Sequence, residues 1–405
     1  MNRLLKVFIY LAVLSMLISG CNQNKKTATN HSNGIEEKTS IIEKNEEIII
    51  TAKEGTPDWT FQHLVKAVAE DNLLEFMKYQ YEENILFYKE QKRWIEEAVF
   101  KKGQGYSLSI EFSGFQQESD TNGRVILSVK MKHPEGIEEF NNTVIYECIK
   151  VDDVWLLNDV PFKTLTSENG WVTVYYKEGE DGIAETTIKD AENLMKFYAT
   201  EFRWVPNPIS VKIFSSPVEV SATVPWTIVG GWNEIGESLK ITSQNKDDIF
   251  RLLAHELTHK MLSDLTNDNA ILFFQEGLAT YLENKVQKDP EGKIYFDQSI
   301  VNSKSIKAIQ VTNSVLSIDE LAEIDYAGNS TRLYRDGSLI TNYLVLTHGL
   351  EKYLEMLSHL AQYDYIDKRL EHKLETIRSR SLEALEKTYG PKDELTKKYT
   401  EYYLN

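Results

Sequence analysis

"RLLAHELTHKML", residues 251–262, is the stretch on which the reading of this chain turns. On a helix, residues four apart share a face with Cβ atoms about 5–6 Å apart, so His255 and His259 project together while Glu256 turns aside. Two imidazoles at that separation suit one shared zinc ion, with the glutamate as a general base toward water. The surrounding residues support a helix. Ile249, Phe250, Leu253, Leu257 and Met261 form one apolar stripe, and the two histidines fall on nearly the opposite side, flanked by Leu252 and Leu262. Asn245 and Asp248 are expected to cap its start and supply a first-turn acid.

A catalytic zinc needs a third protein ligand and one open position. "FFQEGLATYLE", residues 273–283, offers Glu276, a carboxylate in an otherwise apolar helical stretch where burial without a partner is costly. Gly277 beside it has no side chain, which lets a second helix approach closely. H-E-x-x-H followed by E-G-L-A resembles the gluzincin zinc metallopeptidases, in particular the aminopeptidase-N-type and peptidase MA-like domains. The resemblance spans roughly residues 170–405, taking in "LYRDGSLITNYLVLTHG" and "LEALEKTYGPKDELTKKYTEYYL". It implies a thermolysin-like metallopeptidase domain in which His255, His259 and Glu276 hold Zn2+ and Glu256 is the catalytic base. It further implies a tyrosine that donates to the oxyanion of the tetrahedral intermediate, at Tyr334, with Tyr326 as the competing position. Glu283 is either an acceptor for a ligand histidine's ring N–H or an exposed helix glutamate. One segment departs from the family. Aminopeptidases of this clan carry Gly-x-Met-Glu-Asn, whose glutamate holds the substrate amine, whereas "VGGWNEIGES" (229–238) stands here, so Glu234 is not assigned that task.

Working outward, "WVTVYY" (171–176) and "ISVKIF" (209–214) read as strands flanking a helix near 184–201, and residues 227–242 as a hairpin or edge strand. An edge strand can take up an extended peptide as one further strand. Beyond 245 nearly everything is helical. Upstream, Phe61, Leu64, Val65 and Val68 mark one helix, and Ile85, Leu86, Trp94 and Ile95 a second. "YSLSIEFSGF", "RVILSVKMKH", "NTVIYECIKV" and "VWLLNDV" alternate as strands, with Asn122-Gly123 as the expected hairpin turn. Helices followed by such a sheet resemble the cone-shaped cystatin-like and nuclear-transport-factor-like domains, a likeness of pattern from which no site follows. The expected fold class is therefore α+β. Residues 51–165 form a small helix-plus-antiparallel-sheet domain, and 166–405 a peptidase domain with a mixed sheet and a mostly α-helical lobe.

The chain of 405 residues carries a formal net charge of −17, which repels nucleic-acid phosphates, and no Lys/Arg-rich face offsets it. No nucleic-acid partner is expected. Residues 1–21, "MNRLLKVFIYLAVLSMLISGC", have Arg3 and Lys6 before an apolar run from Val7 to Ile18, short for a bilayer span of about 20 residues but suited to a signal peptide. "LISGC" resembles the lipobox of bacterial lipoproteins, so Cys21 is the expected lipidated residue, anchoring the protein outside the cytoplasm through two or more acyl chains. Residues 22–50 read as a flexible tether. Cys148 then remains alone, which excludes an internal disulfide and suggests a small buried hydrophobe.

The sequence thus points to a membrane-anchored zinc peptidase acting on a peptide or protein substrate. The alternative is a catalytically inactive metal-binding lipoprotein acting as an interaction module, but the intact base and ligand set speak against it. No G-x-S-x-G elbow, P-loop or dinucleotide fingerprint supports another enzyme class.

Overall fold

The computed structural model describes residues 50–404 except 228, 246–247, 298–302, 325 and 368–371. The leader with Cys21 and the tether up to residue 49 lie outside the described residues. Three helices come first: α1 (Pro57–Ala69), α2 (Leu73–Met77) and α3 (Ile85–Gly103). Each starts at a short polar side chain that accepts an otherwise unpaired amide: Thr56 from Trp59 at 3.3 Å, Asn72 from Glu75 at 3.1 Å, and Asn84 from Phe87 at 3.2 Å.

An antiparallel meander follows, β1 (Ser107–Gln117), β2 (Asn122–Lys132), β3 (Glu138–Val151) and β4 (Val154–Leu157), in that spatial order. Alternation buries Val125, Leu127, Val129 and Met131 of β2 against Phe61, Leu64, Phe76 and Trp94 of the helices. Each such side chain contributes about 1.5–3 kcal/mol by leaving water. Cys148 belongs to this core, and burial pushes its thiol pKa up. Two expectations need correction. Ile85 is 66% exposed, because the buried face of α3 begins at Phe87. Asn122-Gly123 is not the turn but the start of β2, with Gly123 opposite Gln117. The reversal is made by residues 118–121, where the amides of Glu118 and Ser119 both donate to the Asn122 carbonyl, at 2.9 and 3.0 Å. Gly123 is required sterically, since a Cβ there would meet the Phe115 ring and stand 2.9 Å from the Gln116 carbonyl.

The second sheet is mixed. β5 (Lys163–Thr166) pairs antiparallel with β6 (Val172–Tyr176), and α4 (Asp181–Phe202) carries the chain to β7 (Ile209–Phe214), parallel to β6. After the short α5 (Pro217–Thr223) come β8 (Gly231–Trp232) and β9 (Leu239–Thr242). β9 is parallel to β7, and β8 lies antiparallel to β9 at the sheet's edge, so the expected edge hairpin is present.

Among the described residues the remaining elements are mostly helices: α6 (Ile249–Thr266), α7 (Leu272–Lys285), α8 (Ser303–Thr312), α9 (Ile318–Glu323), α10 (Tyr326–His348), α11 (Leu350–Leu360), α12 (Lys373–Tyr389) and α13 (Lys392–Leu404). One exception interrupts it, the hairpin of β10 (Val286–Lys288) and β11 (Ile294–Phe296). The architecture is mixed α and β, consistent with α+β. Residues 49–405 form one compact unit around two apolar cores, and Phe214, Val220, Ala222 and Val224 complete the core of the first sheet. No described helix is long and apolar enough to cross a membrane.

Candidate metal centre

Helix α6 is fixed from behind. Leu253, Leu257 and Met261 are wholly buried, and the Tyr198 hydroxyl of α4 bonds the Ala254 carbonyl at 3.1 Å and Thr258 Oγ1 at 3.0 Å. Phe250, expected in the same stripe, is only partly buried. The expected cap also differs: Asp248 stands at the N-cap with its side chain bonded to no amide, and Asn245 donates to its carboxylate instead. With the apolar face so held, the opposite face aims His255 and His259 at α7.

Their Nε2 atoms lie 3.1 Å apart. Glu276 Oε2 stands 3.3 Å from Nε2 of His255 and 3.6 Å from Nε2 of His259. Tetrahedral zinc with bonds of about 2.0–2.2 Å sets neighbouring ligand atoms about 3.3–3.6 Å apart, so this triangle has the edges of a zinc site. A second observation agrees with the fit: Glu276 Oε2 is buried and has no hydrogen-bond partner among the described residues. Electrostatics point the same way. Glu256, Glu276 and Glu283 gather around two imidazoles, with Arg251 as the counter-charge on Glu283, leaving the site attractive to a cation. Burial pushes the Glu276 carboxyl up, but the His259 and His255 rings more than reverse this and hold it well below the usual carboxylate range. Burial raises Glu256, opposed by the same rings and reinforced by Glu276 and Glu283.

The two imidazole rings are themselves held. His255 Nδ1 lies 3.0 Å from Glu283 Oε2, and His259 Nδ1 lies 3.4 Å from Gln275 Oε1. Were a metal held here, a ring proton on each Nδ1 would leave both Nε2 lone pairs turned, with Glu276 Oε2, toward one point. Of the two readings open for Glu283, the structure places it on the His255 ring, and Arg251 Nη2 grips its other oxygen at 2.6 Å. Gln275 and Arg251 were missed by sequence reasoning. Their only signal is position, one residue before Glu276 and one helical turn before His255.

Gly277 and Gly337 meet where α7 crosses α10. A Cβ on Gly277 would stand 2.5 Å from the Gly337 carbonyl oxygen, so the helices touch backbone to backbone and bring α10 to the His/His/Glu group. Tyr326 donates its hydroxyl to Glu276 Oε1, which commits that proton to the Glu276 carboxylate. Tyr334 instead lies with its ring 6.3 Å from that of His255 and makes no hydrogen bond among the described residues. Glu234 is taken up by Arg93, so its carboxylate is already paired. Glu256 lies against the edge strand: a Cβ on Gly231 of β8 would stand 2.8 Å from its Cγ and Cδ.

No family model matches this chain, and no curated protein matches it. Among solved structures it is similar to aminopeptidase A of Legionella pneumophila in complex with aspartic acid, with a TM-score of 0.36 and 11% identity. The likeness covers 73% of this chain and 32% of that one, so the chain spans about a third of the length of the protein it matches. A likeness this distant carries no argument about fold or activity. The site stands on its own geometry, a His/His/Glu group able to hold a metal ion.

Proposed function

We propose that this protein is a zinc-dependent peptidase of the gluzincin type, with a thermolysin-like domain over roughly residues 166–405 and a lipid anchor at Cys21 that keeps it outside the cytoplasm. One observation carries the reading: Nε2 of His255, Nε2 of His259 and Glu276 Oε2 form a triangle with edges of 3.1, 3.3 and 3.6 Å beside a buried glutamate. When bound, zinc supplies Lewis-acid polarisation of a peptide carbonyl and of water.

The chain's own residues supply the rest. Glu256 takes the proton from the attacking water, a transfer that the raised pKa of its carboxyl favours, and later returns it to the leaving amine. Tyr334 donates its free hydroxyl to the carbonyl oxygen as negative charge grows there. Glu283 and Gln275 fix the tautomer and tilt of the two imidazoles. β8 is the edge of the mixed sheet, and an extended peptide pairing with it would run past Glu256. The Glu234 carboxylate is engaged by Arg93, which favours cleavage within chains over capture of a free amino terminus.

The test is Glu256→Gln. The variant should bind zinc with the parent's stoichiometry yet fail to cut a complex peptide mixture whose cleavage positions are identified by mass spectrometry. Hydrolysis at the parent's rate would remove Glu256 from its role. The anchor is tested separately: Cys21→Ala should move the protein from the membrane fraction to the soluble fraction, and retention on the membrane would count against lipidation.

A further inference from the structure

Helix α3 turns a charged face inward. Glu90, Arg93, Glu97 and Lys101 recur at helical spacing, and all four side chains are buried or nearly so, where a solvated helix would expose them. This face grips the chain between β7 and β9 at successive points. Lys101 Nζ lies 3.4 Å from the ring centroid of Trp226, and the neighbouring Trp94 Nε1 donates to the Ala222 carbonyl at 2.9 Å. Arg93 pairs with Glu234. Glu90 accepts from the Ser238 amide at 3.2 Å and pairs with Lys240 at 3.1 Å and with Lys212. Between these anchors lies what the metal centre requires: the Gly231 backbone against Glu256, and the Trp226 ring 6.0 Å from Tyr326, whose hydroxyl donates to Glu276.

β8 has two residues and one partner strand, too little pairing to hold an edge in register by itself. Buried ion pairs add little stability over apolar packing, but they are directional and fix where a segment sits. We propose that α3 is the clamp that holds edge strand β8 in place beside the metal centre, with Arg93 a positioning residue for an extended peptide lying along β8. The proposal rests on the peptidase reading for its peptide, though not for its clamp.

The experiment uses zinc-loaded full-length protein and Arg93→Met, with two probes: acetohydroxamic acid, which reports the metal alone, and a peptidyl hydroxamate, which also reports the edge strand. In the variant, zinc and acetohydroxamate should bind as in the parent. Affinity for the peptidyl hydroxamate should fall about tenfold or more, an effect expected when a binding surface shifts by a fraction of an ångström. Hydrogen exchange should quicken by about tenfold in amides 229–238 but not in α6 or α7. Arg93→Lys, which keeps the charge, should recover most of both effects. Unchanged exchange in 229–238 together with unchanged peptidyl affinity overturns the proposal. If the parent itself binds the peptidyl hydroxamate no better than acetohydroxamate, the peptidase reading fails, and the exchange result alone decides the clamp. Should Arg93→Met not fold, Glu234→Gln decides on the same readouts.

Discussion

Gly277→Ala puts two opposing effects in the same residue. Alanine is favoured over glycine inside a helix by about 0.8–1 kcal/mol, so propensity alone predicts a more stable protein. The crossing of α7 and α10 predicts the reverse. The new Cβ would lie 2.5 Å from the carbonyl oxygen and 2.7 Å from the carbonyl carbon of Gly337, and 3.0 Å from Thr341 Oγ1. Two of those atoms are backbone and cannot rotate away. Since non-bonded heavy atoms rest near about 3.5 Å, the helices must part by on the order of 1 Å. Overpacking of that kind costs about 1–3 kcal/mol and loosens contacts on both sides of the crossing, so after the propensity gain the net change should be a loss of up to about 2 kcal/mol, with the melting temperature lower by up to a few degrees. Glu276, the neighbouring residue, moves with α7 and widens the 3.3 and 3.6 Å edges it makes with the two histidines. Zinc affinity should therefore fall by about tenfold or more. Thermal melts of the metal-free protein read the first effect, and competition with a chromogenic chelator reads the second. Gly337→Ala, whose Cβ would stand 3.0 Å from the Phe273 carbonyl and 3.2 Å from Gly277 Cα, should do the same more mildly. A Gly277→Ala protein that melts at or above the parent and holds zinc equally well refutes the idea that this glycine sets the spacing of the site.

Two further perturbations test neighbouring parts of the structure. Glu283→Gln keeps the shape of the group beside His255 Nδ1 but removes its charge, and zinc affinity should drop by about 10-fold to 100-fold while the metal-free melt changes little; equal affinity would make Glu283 a bystander. Glu90→Gln should destabilise the fold by about 3 kcal/mol, the low end for a broken buried pair because Asp159 and Glu237 still face the Lys212 and Lys240 ammonium groups. Burial pushes the Glu90 carboxyl up, but Lys212 and Lys240 more than reverse this and hold it at about 2, below its unfolded value near about 4.3. The parent's advantage over Glu90→Gln is thus full at neutral pH and shrinks as pH falls from about 4 toward 2. Denaturant titrations across that range check it, and a gap that widens in acid would contradict the assignment.

The meeting of the two histidines and Glu276 was legible in the sequence, because a helix converts spacing directly into direction. His255, Glu256 and His259 needed only the period of α6, and Glu276 betrayed itself as a carboxylate in an apolar stretch whose neighbour Gly277 marked a close crossing. The alternating strands and the helices between residues 57 and 157 were legible for the same reason. Turn geometry was not: Asn122-Gly123 carries the composition of a hairpin turn, yet Gly123 is needed inside β2 because the Phe115 ring occupies the space of its side chain. What chain order could not reveal is which distant groups meet. That Tyr326 bonds Glu276 while Tyr334 stays free, that Gln275 and Glu283 hold the two rings, and that the charged face of α3 is buried against residues 222–240 depend on how separate elements pack. Local periodicity sets the direction in which a side chain leaves its own helix or strand; only the closure of the two cores determines what stands opposite it.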